Sequence, residues 1–583
     1  MIDEIIKNYK FSTYDFREHA CPEDPLSHLF DAWVDYYRMK WAISRTLKPS
    51  KILEIGVRYG YSARAFLDAS PDALLIGIDA DLPTFGGQPG AVEWAKQSLC
   101  ECFDVRIIKE DSQKFNIFPH GFYDLVHIDG QQDGDGTFHD LDLAVFQTRY
   151  ILVDGYHWTR NNFLAANEWL WLNKEAVQAA FILPGYAGEL LILTKTEKFE
   201  IPEAVENSYA GLRRVFKNCL KNRIGSLKML FADHRIADDR LQAMADIGMT
   251  VISRPRSVLG IGAGAGSLAT FFERQGTKVT VVGDPVDAID DADTVYGEVS
   301  NPALYDESYD LALAHGIVEC LSPEENDLLY EMVSQRLKDK KGIFVVYSYS
   351  NLWQRLYEHS RQRKMAQKAG FWLPKIQRNC CERLVNVNEQ NPRMLKKNLS
   401  RYFPNVIVWF ADQQSLGGSL LERFSIKRMR CANGLFAVAS HFRVEMELLK
   451  NAFMMPALSE REAKKVFWHI VESPSEVFKN EIFSISVLLN NWTDKRLSSS
   501  MPNPLHLSYH WLDGKGRRIL CFDGLRSGLN PPLYSGLKAK YPVEIKAPAQ
   551  VGRYRLRVLP VQENIRWHQP MDGSKDLIIH VRD

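Results

Sequence analysis

Residues 52–62 read ILEIGVRYGYS: a short apolar run, a glutamate, and a turn with glycines at 56 and 60. KILEIG has the near-continuous hydrophobicity of a parallel strand buried on both faces, and VRYGYSARAFLDA after it reads as a loop leading into an amphipathic helix. Glycines in that loop let the backbone approach a ligand closely, and the start of the helix offers unpaired amide donors. A second strand, ALLIGIDAD, ends in Asp79, 25 positions after Glu54. There a carboxylate can accept hydrogen bonds from both hydroxyls of a ribose. A nucleoside ligand is therefore favoured over the blander alternative, an α/β turn whose glycines serve only tight packing.

Two more buried-strand patterns follow. FYDLVHIDG, 122–130, ends in Asp129, and RYILVDGYHW, 149–158, ends in Asp154. Open α/β sheets present ligand-facing groups at the carboxyl ends of their strands, so the two acids should converge near the same ligand. The blander role for either is to cap a helix or orient a loop.

The spacing from Gly56 to Gly60 omits the central glycine of the dinucleotide GxGxxG fingerprint. The stretch instead resembles class I S-adenosylmethionine (SAM) methyltransferases, whose first motif is E/D-x-G-x-x-x-G followed by an acidic residue ending the second strand. That resemblance implies that Glu54, Gly56 and Gly60 face the methionine part of SAM and Asp79 its ribose, with Asp111 also among the cofactor contacts. The IDG and VDG order is similar to that of the small-molecule and sugar O-methyltransferases. In that group IDG and a later VDD hold a divalent metal that orients a substrate diol and acidifies one hydroxyl. The resemblance thus implies Mg2+ or another divalent ion at Asp129 and Asp154, the leading catalytic or metal candidates. The chain departs from the pattern twice: Gly155 replaces the second aspartate, and Gln132 stands where the group often has a histidine base. His127, His139 and His157 are candidate substitutes, and His157 joins the two aspartates in the expected catalytic set, although a lone histidine is more often structural.

The motif has an echo. Residues 257–284, SVLGIGAGAGSLATFFERQGTKVTVVGD, again read strand, glycine loop with Gly262, Gly264 and Gly266, helix, and strand ending in Asp284. The segment through FVVYSYS continues with a strand, a helix and another buried strand, and resembles a second class I methyltransferase domain. Its departure is Gly260, where the family has an acid, leaving the domain active, weak or a retired copy. An NAD site is the rival reading of GIGAGAGS. His315, in the expected catalytic set, and Glu319 stand at the mouth of this unit.

From about 475 the texture changes to short alternating runs, such as IFSISVLLNN, LHLSYHWLD and GRYRLRVLPVQ, separated by turn residues. These predict an antiparallel β-sandwich. The run is similar to the glycan-binding β-domain of O-polysaccharide export ATPases, in which Trp492, Tyr509, Trp511 and Trp567 would stack on sugars unless they are core aromatics.

The expected fold class is α/β with two Rossmann-like class I methyltransferase domains, at 1–205 and 247–442, followed by an all-β antiparallel sandwich at 471–583, with linkers at 206–246 and 443–470. Within the first linker, residues 207–231 carry six basic and no acidic residues beside an apolar stripe. This predicts an amphipathic helix that packs on a neighbouring domain or touches anionic lipid at the inner membrane face.

The 583 residues carry 72 Lys plus Arg and 72 Asp plus Glu, which removes the general electrostatic case for a nucleic-acid partner. No window approaches a membrane span and no secretory leader opens the chain, so a cytoplasmic protein is expected. Nine scattered cysteines, with one adjacent pair at Cys380 and Cys381, suit reduced core positions. Together the resemblances imply SAM-dependent O-methylation of a bacterial surface polysaccharide, with a glycan or glycolipid partner and each catalytic unit free to address its own position. The alternatives are methylation of a small glycosylated natural product and a non-catalytic SAM- and glycan-binding assembly factor. Self-association into a homo-oligomer is compatible with the sequence and not specified by it.

Overall fold

The computed structural model describes residues 1–83, 87–115, 117–197, 238–262, 271–273, 275–283, 294–296, 307–337, 341–375, 382, 386–411, 416–421, 426–569 and 576–583. The chain forms two compact units, Met1–Asp233 with Arg355–Val387, and His234–Gln354 with Asn388–Asp583.

In the first unit, strands β1 (Lys51–Ile55), β2 (Leu74–Asp79), β3 (Val105–Lys109), β4 (Tyr123–Ile128), β5 (Thr148–Val153), β6 (Val177–Leu183) and β7 (Glu189–Thr194) form one sheet, in the order β3-β2-β1-β4-β5-β7-β6. All neighbours are parallel except β7, which lies antiparallel between β5 and β6. The apolar runs of β1, β2 and β4 are buried on both faces, as Ile52, Leu53, Leu75, Ile76, Leu125 and Val126 all are. Strand order reverses between β1 and β4, which opens a crevice at their carboxyl ends. The helix Phe30–Leu47 sends Met39 and Ile43 into the core. Between them Lys40 is fully buried as well, a charge on an otherwise apolar face.

Residues 355–387, read from the sequence as part of the second α/β domain, belong to the first unit. Arg363 and Lys375 pair with Asp135 at 3.1 and 3.4 Å, and Trp372 packs on Phe138 with ring centres 5.8 Å apart.

The second unit repeats the first sheet. Its strands β8 (Ser257–Ile261), β9 (Lys278–Gly283), β10 (Thr294–Tyr296), β11 (Leu311–His315), β12 (Ile343–Ser348), β13 (Asn405–Ala411) and β14 (Gly434–Ser440) are ordered β10-β9-β8-β11-β12-β14-β13, with β14 antiparallel to both its neighbours. The helix expected at 207–231, the Cys380–Cys381 pair, Gly264, Gly266 and Asp284 lie outside the described residues. The end of the first linker is helical, Asp238–Val251, and its Met244 and Ile247 join the core beneath β11 and β12.

The sandwich begins at Val466. One sheet holds Val466–Glu472, Ile482–Asn491 and Lys538–Lys546; the other is built on Leu505–Leu512, Gly552–Gln562 and Leu577–Arg582. Tyr509 and Trp511, candidate sugar platforms in the sequence, are buried at 2% exposure in the core between the sheets, so neither offers a face to a ligand. Trp492 is 62% exposed, and Trp567 is half-buried against His510 and Arg526. The sandwich is tied to the helix Asp238–Val251 by a buried ion pair of Arg496 with Asp246, whose carboxylate also accepts from Tyr534. Among the described residues no helix is long and apolar enough to cross a membrane.

Candidate active site

The crevice forms where the ladders of the first sheet run one residue past the strands. Gly56 N donates to Ile78 O, Asp129 N to Ile55 O, and Asp154 N to Ile128 O, at 2.8–2.9 Å. These bonds fix Gly56, Asp129 and Asp154 at the carboxyl edge. Gly56 has φ +90°, and a Cβ there would lie 2.1 Å from the Asp129 carbonyl oxygen, so only glycine permits this approach of β1 to β4.

Two cavities meet at this point. One of about 160 Å3 lies between the ends of β1 and β2, lined by Asp79, Asp81, Glu110, Asp111 and Ser112. The other, of about 610 Å3, is walled by Trp33, Tyr36, Tyr37, Tyr59, Tyr61, Trp158 and Tyr186 and includes Asp154. Gly56, Arg58, Asp129, Gly130 and Gln131 line both.

Asp79 borders the smaller cavity, but its Oδ2 accepts the Val57 and Arg58 amides, each at 2.8 Å, and its Oδ1 accepts Asp81 N at 2.7 Å. Three of the roughly four lone-pair directions of a carboxylate are thus taken, leaving room for one ribose hydroxyl rather than two. Asp111 lines the cavity and also accepts Gln113 N at 2.9 Å. Gly60 lies off both linings; a Cβ there would meet Leu99 and Ala95, so its role is helix packing. Glu54, expected to face the donor, lines neither cavity: it is fully buried, accepts from Ser62, and meets His127 Nδ1 at 3.1 Å.

None of the three histidines reaches the crevice. His127 is buried against Glu54, His139 lies beside Asp140, and His157 is exposed, stacked on Phe163, while its neighbours Trp158 and Thr159 line the larger cavity. The two departures at Gly155 and Gln132 are coupled. Gly155 has φ +57°, a Cβ there would fall 2.8 Å from the Gln132 amide, and Gln132 Nε2 donates to Asp129 Oδ1 at 3.2 Å.

Lys40, Tyr36 and Glu189 complete the site, and the motifs did not single them out. Lys40 Nζ donates to Asp154 Oδ1 at 2.7 Å and to Glu189 Oε1; Tyr36 OH donates to Asp154 Oδ1. A sequence signal existed: a lysine one helical turn after Tyr36 inside the apolar run YYRMKWAI, and an acid opening the apolar run ELLILT.

Charge is distributed unevenly over the three acids. Burial alone would lift the Asp154 carboxyl, yet the Lys40 ammonium beside it holds it below the ordinary range. Burial and then the Asp154 charge push Asp129 well above the ordinary range, and burial raises Glu189 likewise. Burial would lower Lys40, but Asp154 and Glu189 keep it charged. The ion pair is therefore Lys40 with Asp154, and Asp129 keeps a weakly acidic carboxyl on the wall common to both cavities.

The residues do not fit the divalent ion implied at Asp129 and Asp154. A ring nitrogen of His127 and carboxylate oxygens of Asp154 and Glu189 lie within 4.8 Å of one another. Two of these acids already share the Lys40 ammonium, and the side chain missing at Gly155 is replaced by the neutral Gln132 amide.

The second sheet can be compared by register. Gly262 repeats Gly56, with φ +86° and a hypothetical Cβ 3.1 Å from the His315 carbonyl oxygen. The pairs Glu54–His127 and Gly260–Leu313 hold the same place, as do Ile55–Ile128 and Ile261–Ala314. His315 therefore stands where Asp129 does, Tyr347 where Asp154 does, and Phe436 where Glu189 does. His315 is fully buried, with Nε2 3.0 Å from Tyr349 OH; Glu319 is also buried, which lifts its carboxyl to about 7.

No protein-family model and no curated protein matches the chain. Among solved structures it is similar to the SAH-bound Podospora anserina methyltransferase PaMTH1, at 15% identity and TM-score 0.23 over 33% of this chain and 88% of that one. It is similar to the SAM-bound O-methyltransferase TomG from Streptomyces achromogenes, involved in tomaymycin synthesis, at 18% identity and TM-score 0.23 over 33% and 90%. It is similar also to the SAH-bound plantazolicin methyltransferase BamL, at 15% identity and TM-score 0.28 over 41% and 99%. The chain holds two seven-stranded mixed α/β sheets of the same strand order, and the acid-lined crevice belongs to the first.

Proposed function

We propose that the first unit transfers a methyl group from SAM to a sugar hydroxyl. The observation that carries this reading is the common wall at Gly56, Asp129 and Gly130, where a cavity bordered by Asp79 meets one walled by aromatic rings. In this reading only the nucleoside end of SAM enters the smaller cavity, where Asp79 keeps one acceptor direction for a ribose hydroxyl, and the rest of the donor runs along the common wall at Gly56 toward the larger cavity, which Tyr61 and Ser62 at the start of the helix Tyr61–Ala69 also line. When bound, SAM supplies an electrophilic methyl on a sulfonium.

The chain's own residues then position and deprotonate the acceptor. Asp129, raised in pKa by burial and by Asp154, is the base that takes the hydroxyl proton as the C–O bond forms, the S–C bond of the methyl breaks and S-adenosylhomocysteine leaves with the electron pair on its sulfur. The Lys40–Asp154 pair and Tyr36 fix the acid edge, and the close walls supply the orientation on which methyl transfer depends. Aromatic faces suit the C–H faces of sugar rings, and about 610 Å3 is a common size for a small-molecule site. Because the second sheet has His315, Tyr347 and Phe436 at the corresponding positions, we assign catalysis to the first unit alone. The polymer reading, a surface polysaccharide held by the sandwich through exposed Trp492, rests on the sequence resemblance and on that exposure. Incubation with methyl-labelled SAM and purified polysaccharide tests it: label in the glycan, absent with Asp129→Asn, supports the proposal. No label with any saccharide acceptor contradicts it.

A further inference from the structure

Behind the crevice wall, Asp154, Glu189 and His127 have the composition of a cation site, yet a fully buried lysine already stands beside two of its acids. We propose that the Lys40 ammonium is the resident cation of this site, built in from the helix Phe30–Leu47, so that the crevice works without a divalent metal.

Three features of the geometry support this. Lys40 Nζ bridges two of the three candidate ligand residues, bonding Asp154 Oδ1 at 2.7 Å and Glu189 Oε1, and lies 3.6 Å from the centre of the Tyr36 ring. A compact ammonium with three donors suits such a nest, and the desolvation it suffers there is offset only while both acids remain beside it. Next, Asp154 Oδ1 accepts Tyr36 OH as well as Lys40, so that oxygen is already engaged twice. Finally, the residue after Asp154 is Gly155, and the space its side chain would fill is closed by the Gln132 amide. That amide donates to Asp129, giving the second acid a neutral donor where a metal would have given it a charge. A divalent ion entering the cluster must expel Lys40 or sit beside its charge.

The inference concerns the same crevice as the methyl-transfer reading, but its test needs neither donor nor acceptor, so the two can fail separately. The chain is dialysed against chelator and titrated with Mn2+, and free Mn2+ is followed by electron paramagnetic resonance. Wild-type chain should show no stoichiometric uptake up to millimolar Mn2+. The Lys40→Met variant, which vacates the nest without adding charge, should take up one Mn2+ per chain, and the added substitution Glu189→Gln should abolish that uptake. Wild-type chain that binds one Mn2+, with the binding lost in Asp154→Asn, overturns the proposal whether or not Lys40→Met folds. A folded Lys40→Met chain that takes up no Mn2+ also overturns it.

Discussion

Lys40→Met is the most informative stability perturbation. Methionine nearly matches the lysine stem, so packing around Met39 and Ile43 is kept and the loss is electrostatic. Asp154 would lose an ammonium at 2.7 Å and keep the Tyr36 hydroxyl, while Glu189 would lose the same partner. Removing one partner of a buried ion pair costs about 3–5 kcal/mol. At about 2–4 °C per kcal/mol for a unit of this size, the first unit should unfold about 6–20 °C lower.

The pH dependence has a definite sign. In the wild type the folded Asp154 carboxyl is depressed, so its contribution is present above its unfolded value, about 3.9, and is lost as pH falls through the depressed value. In the variant, burial acts without the ammonium and raises that carboxyl. The penalty is then full at pH 8 and shrinks as acid supplies a proton to Asp154. Melting curves by near-ultraviolet circular dichroism at pH 8 and pH 5 measure both gaps. A gap below about 2 °C at pH 8, under 1 kcal/mol by the same conversion, refutes the reasoning. So does a gap that is no smaller at pH 5.

Other outcomes follow from the same geometry. Asp129→Asn should lower kcat by about 10²–10⁴-fold, the usual worth of a general base, with S-adenosylhomocysteine (SAH) affinity changed less than about threefold. Because the Asp129 carboxyl is raised, wild-type kcat should climb with pH until a point above the ordinary carboxylate range, and the residual rate of Asp129→Asn should lack that limb. Gly56→Ala puts a Cβ 2.1 Å from a backbone oxygen at φ +90°. The Cβ must push the ends of β1 and β4 apart at the wall common to both cavities, so calorimetry should show SAH affinity reduced about tenfold or more, about 1.4 kcal/mol; unchanged affinity would remove Gly56 from the site. His315→Gln should leave kcat within about twofold, whereas loss comparable to that of Asp129→Asn would return catalysis to the second unit.

Much of the fold was legible because parallel strands advertise themselves. KILEIG, LVHID and YILVD are apolar on both faces, and the repeat at SVLGIG predicts the second sheet, which has the same strand order as the first. The acids at strand ends were legible for the same reason, since chain direction puts Asp129 and Asp154 at one edge. Partners drawn from distant sequence were not. Lys40 precedes Asp154 by 114 residues and Glu189 by 149, and no local pattern announces that a helix will carry an ammonium to that edge. Glu54 was misleading because the motif gives its spacing but not its burial: Ser62 and His127 draw it inward. The placement of 355–387 in the first unit depends on pairs such as Arg363 with Asp135, 228 residues apart.

By this reading SAM binds at the β1–β4 crevice of the first unit, with its reactive end toward Asp129. A crystal structure of the chain with SAH tests this most directly. The account predicts a ribose hydroxyl on Asp79 and the sulfur at the wall formed by Gly56 and Asp129, facing the aromatic cavity. Density for SAH elsewhere, with this crevice empty at saturating ligand, would contradict it.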